Sequence, residues 1–270
     1  MSFTNFVSAL AASNAGGVPI EFVGYKSAAF APTSSSSTQS LSLTGNLSTA
    51  VGATGGTVQQ DDLVIASYIA GTLSTYSFTL SFNTSGYTNL FNIYANNTAG
   101  SGISNQHLAG YKIMGSTPDT SVVFNQSANN YQTNWPTVIV ASVFRYVDTS
   151  NPLDTSVSTQ TTFNNTTPSF SSITTTTKNA MLYAMATNAM GDVTSNLFLS
   201  GIFSSQRFEQ RANMGPGGVN TGYSFGFAIR ETPSSVTPTA GSAPQYTSSV
   251  DPYKNPSSIG ATLALRPANP

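Results

Sequence analysis

Residues 76–82 read Tyr-Ser-Phe-Thr-Leu-Ser-Phe, an unbroken alternation of apolar and hydroxyl side chains. A period of two marks a strand with one face on a core and the other on solvent. Tyr76, Phe78, Leu80 and Phe82 share the apolar face. The same rhythm runs through 223–229, with Tyr223, Phe225, Phe227 and Ile229 turned inward and Ser224, Gly226 and Ala228 outward. That outward row of small residues is a candidate close-packing surface. Leu41 and Leu43 within 39–44, Leu63, Ile65 and Ile69 within 62–70, and Ala261, Leu263 and Leu265 within 259–266 mark three more strands. Residues 137–147 differ, because Val138, Val140 and Phe144 oppose Ile139, Val143 and Val147. A strand apolar on both faces is predicted to be central and covered on both sides. Further strands are expected at 21–30, 90–95, 107–114, 121–125, 169–174, 180–187 and 197–211.

Clusters of Gly, Pro, Asn and Ser punctuate these segments, as in the polar run Ser34 to Ser37. About a dozen strands so separated predict an all-β fold, a single large antiparallel β-sandwich of jelly-roll type. It is expected to occupy residues 20–270, with the Pro-, Ser- and Thr-rich stretch 231–254 as a surface excursion before the last strand. Only 2–17 has helical spacing, through Phe3, Phe6, Val7 and Leu10, and it stops at Asn14 and Gly16–Gly17. Residues 1–19 therefore read as a short N-terminal arm. Phe3, Phe6 and Leu10 are its assembly residues: they hook a partner subunit or cap the open end of the sandwich.

Composition shifts the picture toward packing rather than chemistry. Charged residues make up 7% of the 270-residue chain, against roughly 25% in an average soluble domain. Hydrophobic residues at 39% and aromatics at 11% still supply a core. Ser and Thr fill the polar positions, and a hydroxyl costs less to desolvate than a charge. Such a surface suits burial against neighbours. The absence of cysteine excludes disulfides, a thiol nucleophile and Cys-ligated metal. No run of 18 apolar residues predicts a membrane span, and no basic cluster predicts a nucleic-acid partner at a net charge of -1. The first residues carry no positive charge ahead of their apolar run and read poorly as a secretory signal.

Candidate chemistry is sparse. His107 is the one histidine, so any Ser–His–Asp triad must use it, and no nucleophile-elbow pattern surrounds it. A glycosidase needs two facing carboxylates, and the adjacent Asp61 and Asp62 precede a strand that sends them to opposite faces. Asp148, Asn151 and Asp154 offer hard oxygen ligands of the kind Ca²⁺ takes. The preferred reading of that loop is a turn held by Asp and Asn and fixed by Pro152. Arg145 just before it requires an acidic partner, and Asp148 and Asp154 are nearest in sequence. For sugar binding the candidates are Tyr87, Tyr131 and Trp135, aromatics in Asn- and Gly-rich surroundings, with a core plug as the alternative role of Trp135. A non-enzymatic protein without a cofactor is expected.

Four stretches carry a resemblance. Asp62-Leu63-Val64-Ile65 opens a strand on an acidic residue, and Phe144-Arg145-Tyr146-Val147-Asp148 leads into Asn151-Pro152-Leu153-Asp154. The Thr-rich Ile173 to Thr177 follows, and Leu263-Ala264-Leu265-Arg266-Pro267 ends the last strand. Together these resemble a β-sandwich domain of tailed-bacteriophage virion proteins over roughly residues 20–267. The resemblance implies a concanavalin-like or jelly-roll sandwich and a place in the virion. It implies capsid decoration, cement or head-fibre roles, with the major capsid protein or other virion proteins as partners and a homotrimer or other symmetric homo-oligomer as the working form. The alternative is a tail or fibre module that recognises a host-surface glycan.

Overall fold

The computed structural model describes residues 17–33, 36–73, 77–96, 103–129, 135–163, 167–190, 199–200, 207–213, 220–240 and 257–269. These residues form seventeen strands and no helix, and every strand pairing is antiparallel. The central sheet runs in the order β1 (Glu21–Thr33), β8 (Trp135–Arg145), β3 (Leu63–Leu73), β6 (Ile103–Ile113) and β5 (Thr88–Ala95). A three-stranded sheet of β2 (Ser36–Ser42), β7 (Ser121–Asn129) and β4 (Ser77–Phe82) covers one face. The other face meets a five-stranded sheet ordered β13 (Arg207–Asn213), β14 (Asn220–Arg230), β11 (Ala180–Met190), β17 (Ser257–Leu265) and β9 (Leu153–Phe163). Two short ribbons complete the description. One pairs β10 (Ile173–Thr174) with β15 (Ser235–Val236), the other β12 (Leu199–Ser200) with β16 (Thr239–Ala240).

The doubly apolar pattern explains the layering. In β3 and β8, Leu63, Ile65, Val138, Val140 and Phe144 pack toward the five-stranded sheet, against Tyr183, Phe225 and Leu263. Their alternate neighbours Val64, Ala66, Ile139, Ala141 and Val143 pack toward Leu41, Leu80, Val122 and Phe124 of the three-stranded sheet. Burying each such side chain contributes roughly 1.5–3 kcal/mol, and both faces of the same strands collect it. The predicted sandwich is therefore observed with a further sheet laid on top. Its sheets divide along the chain: β1–β8 build the central and three-stranded layers, and β9 to β17 build the five-stranded one and the two ribbons.

Five details depart from the expectations. β9, Leu-Asp-Thr-Ser-Val-Ser-Thr-Gln-Thr-Thr-Phe, falls outside the expected strands, because hydroxyl side chains on both faces dilute the one-sided signal of Leu153, Val157 and Phe163. Ser224 and Gly226 do not offer a packing surface, since both are buried, and Ala228 lies against the cluster of Leu182, Ala184, Ala186 and Ala264 roofed by Ile173. Ile229, expected inward, is exposed: it pairs with Met181 of β11, but the pairing with β13 stops at Gly226, so among the described residues no strand flanks it on the other side. The stretch 231–254 contributes β15 and β16 within its described part, and the described parts of the strand expected at 197–211 belong to β12 and β13, in different sheets. The arm residues Phe3, Phe6 and Leu10 lie outside the described residues.

Candidate functional site

The register Leu63↔Phe144 brings the start of β3 beside the end of β8. Asp62 and Arg145 then face one another across the two strands. Asp62 Oδ1 accepts Arg145 Nε at 2.8 Å, and Oδ2 accepts Nη2 at 2.9 Å, a fork-to-fork pair. The Gln59 N–H also donates to Asp62 Oδ2 at 2.8 Å, and Arg145 Nη2 donates to the Thr57 carbonyl at 3.3 Å. The Asp62 side chain is fully buried, while Arg145 keeps 21% of its side-chain surface in solvent. The hydrogen bond to Asp62 raises the Arg145 pKa above its ordinary value against the opposing effect of partial burial. The expected pairing of Arg145 with Asp148 or Asp154 is thus corrected: cross-strand register, not nearness in sequence, supplies its carboxylate.

The chain end ties this corner shut. Asp148 N–H donates to the Arg266 carbonyl at 2.9 Å, Ala268 N–H to the Tyr146 carbonyl at 2.8 Å, and Val147 bridges Pro267. Asp154 is buried behind them. Its carboxylate accepts Thr176 N–H at 2.6 Å and Thr176 Oγ1 at 2.8 Å, with Arg266 Nε at 3.9 Å. Burial pushes the Asp154 pKa up, but the bonds from Thr177 and Thr176 outweigh it and hold the carboxyl below its usual range. Asp148 Oδ1 accepts the Ser150 and Asn151 N–H groups at 2.9 and 3.1 Å. Asp148 therefore holds a turn while Asp154 anchors the Thr-rich segment. The two carboxylates are thus each engaged by their own hydrogen bonds, and no group of three His, Cys, Asp or Glu side chains that could hold a metal ion occurs among the described residues.

A cleft of about 650 Å³ opens on this clamp. Gln59, Gln60 and Asp61 form one wall, residues Arg145 to Thr149 another, and Ala268 with Asn269 a third. Asp61 and Tyr146 each lie one residue beyond the Asp62–Arg145 pair, and both are left-handed, with φ of 65° and 63°. Asp tolerates that conformation, whereas it costs most L-residues roughly 1–2 kcal/mol and a bulky one such as Tyr146 is a true outlier there. Left-handed Tyr146 breaks the alternation of β8: it turns out to 43% exposure while Val147 goes in.

The aromatics chosen from sequence lie elsewhere. Tyr87 stacks on Phe82 with ring centroids 4.7 Å apart, holds Lys112 Nζ 5.9 Å from its ring, and has a buried hydroxyl whose pKa burial raises. It is half-buried and packs against the core around Phe82. Trp135 opens β8 opposite Thr33, and its side chain, like the whole of Tyr131, lies outside the described residues. His107 is sealed between the central and five-stranded sheets, edge-on to Phe91 and Tyr223 at centroid distances of 4.7 and 5.7 Å. Neither ring nitrogen has a hydrogen-bond partner among the described residues, and burial drives its pKa down to about 3. Beside it Tyr223 hydroxyl meets Tyr183 hydroxyl at 3.2 Å, and Tyr183 meets Ser142 at 2.8 Å.

The chain matches no known family, no curated protein and no solved structure. Sequence reasoning missed Gln59, Gln60, Asp61 and Tyr146 as a set. The period of two places Tyr146 with Phe144, facing inward, and only the left-handed backbone turns it outward.

Proposed function

We propose that the chain is a non-enzymatic virion structural protein of a tailed bacteriophage, decorating or cementing a capsid, or serving in a head fibre, as a homotrimer or other symmetric oligomer. The observation that carries this reading is what the resembling motifs do. Asp62 pairs with Arg145, Val147 bridges Pro267, and Asp154 holds Thr176 near Arg266. All of the motif stretches meet in one clamp that closes the sheets. The charged residues of those stretches are engaged in holding the fold, which suits a structural role.

Support also comes from His107, neutral and sealed in the interior, where it reaches no substrate. The weakly charged surface suits close contact with neighbouring subunits, where desolvating hydroxyls is cheap relative to ions. Closed symmetric assembly is the usual way for such a chain to bury surface. Native mass spectrometry of the purified chain, alone and with the major capsid protein, tests the proposal. A symmetric oligomer or a capsid-bound form is expected. A chain that stays monomeric and is not retained by any capsid protein overturns it.

A further inference from the structure

Three non-glycine residues in the described chain have left-handed backbone: Asp61, Tyr146 and Asn179. Asn and Asp both tolerate that region, so Tyr146 is the outlier of the three; Asn179 sits in the turn before β11, where its side-chain amide donates to the Gly17 carbonyl. The other two line one cleft. Strained backbone concentrates at functional sites because surrounding structure is arranged to hold it there. Here the holding contacts are the Ala268 N–H on the Tyr146 carbonyl and the Met114 carbonyl on the Asp61 N–H, both at 2.9 Å or less.

The lining chemistry narrows the ligand. Arg145 is already bound through two nitrogens to Asp62, so the cleft holds no unpaired cation to draw an anion. Asp61 and Asp148 repel one. Gln59, Gln60 and Asn269 each carry donor and acceptor together, the complement of a hydroxyl group. Tyr146 adds an exposed ring for an apolar C–H face. The volume falls within the roughly 300–1,000 Å³ of small-molecule sites.

We infer that the cleft between Gln59–Asp61 and Tyr146–Thr149 is a binding site for a neutral saccharide, with Tyr146 as the stacking platform and the amides and carboxylates taking its hydroxyls. The site is independent of the virion reading and holds for a free chain as well as an assembled one. It replaces Tyr87 as the place where sugar recognition is sought.

The test is saturation-transfer NMR and a glycan array on the full chain, using neutral gluco-, galacto- and manno-configured oligosaccharides beside sialylated and sulfated ones. At least one neutral glycan binds and the anionic ones do not. Tyr146→Ala weakens that binding about tenfold or more, and Tyr146→Phe retains it. Tyr146→Gly is the control for folding: glycine accepts a positive φ, so this variant raises Tm by about 2 °C or more while losing the glycan. Absence of any neutral hit overturns the inference. So does preference for sulfated glycans, or binding that Tyr146→Ala leaves unchanged.

Discussion

At the scale of single residues, His107 makes acid stability a sharp readout. Its folded pKa lies at about 3 against an ordinary 6.5. Between those values the unfolded chain holds a proton that the folded chain does not, so stability rises with pH across that window. Falling from about pH 7.5 to about pH 5 costs about 2 kcal/mol through this one group. Asp154, also depressed, adds its loss only at pH values below the ordinary carboxylate range, in the same direction. Urea unfolding at the two pH values measures the difference, and His107→Leu is expected to flatten it. A variant profile as steep as the parent's shows that His107 is not the group responsible. Asp62→Ala is the second residue-scale prediction. It leaves Arg145 without its carboxylate and is expected to destabilise by about 2–3 kcal/mol. That is under the ~3–5 of a fully enclosed pair, because Arg145 can regain water. Denaturant titration checks it. These residues also show what the sequence leaves unread. That Asp62 precedes a strand and Arg145 ends one is visible, but their pairing depends on β3 lying next to β8, a register that local pattern does not encode.

At the scale of elements, legibility follows hydropathy contrast. β8 announces its central position because Val, Ile and Phe occupy both faces, and β4 announces its one-sided burial through alternation. β9 hides because Thr and Ser suit a pleated strand without marking its faces. It lies at the sheet edge, where its outer backbone groups face away from β17. Packing between layers hides for another reason. Gly110 on β6 lets Phe82 lie flat on the central sheet, and a Cβ there would come within 2.6 Å of the Phe82 ring and 2.8 Å of the Thr88 carbonyl. Gly110→Ala is expected to displace the Phe82–Tyr87 stack and destabilise by about 1–3 kcal/mol as an overpacked site. Near-ultraviolet circular dichroism, which reports aromatic packing, reads the displacement, and thermal unfolding reads its cost. An unchanged aromatic signal means that the layer adapts by moving the strand instead.

At the scale of the whole molecule, three layers give two cores that share one sheet. The assembly proposed for this chain has a countable consequence. Quantitative mass spectrometry of purified particles is expected to find tens to hundreds of copies for a lattice-decorating protein. A handful in multiples of three or six moves the chain to a vertex or tail and brings glycan recognition forward as its role. The last strand sets a different kind of limit. β17 lies inside the five-stranded sheet, between β11 and β9, and is buried at every position. A ribosome delivers it after every other described strand. Until it arrives, β9 and β11 border an empty slot and each presents an unsatisfied hydrogen-bonding edge, the kind of template on which chains aggregate. The sheet then closes by insertion of a late strand rather than by growth from one side. Its pairings span long sequence separations, which makes that closure slow. Chaperones that hold open edges are therefore expected to raise the share of this protein that reaches its native state.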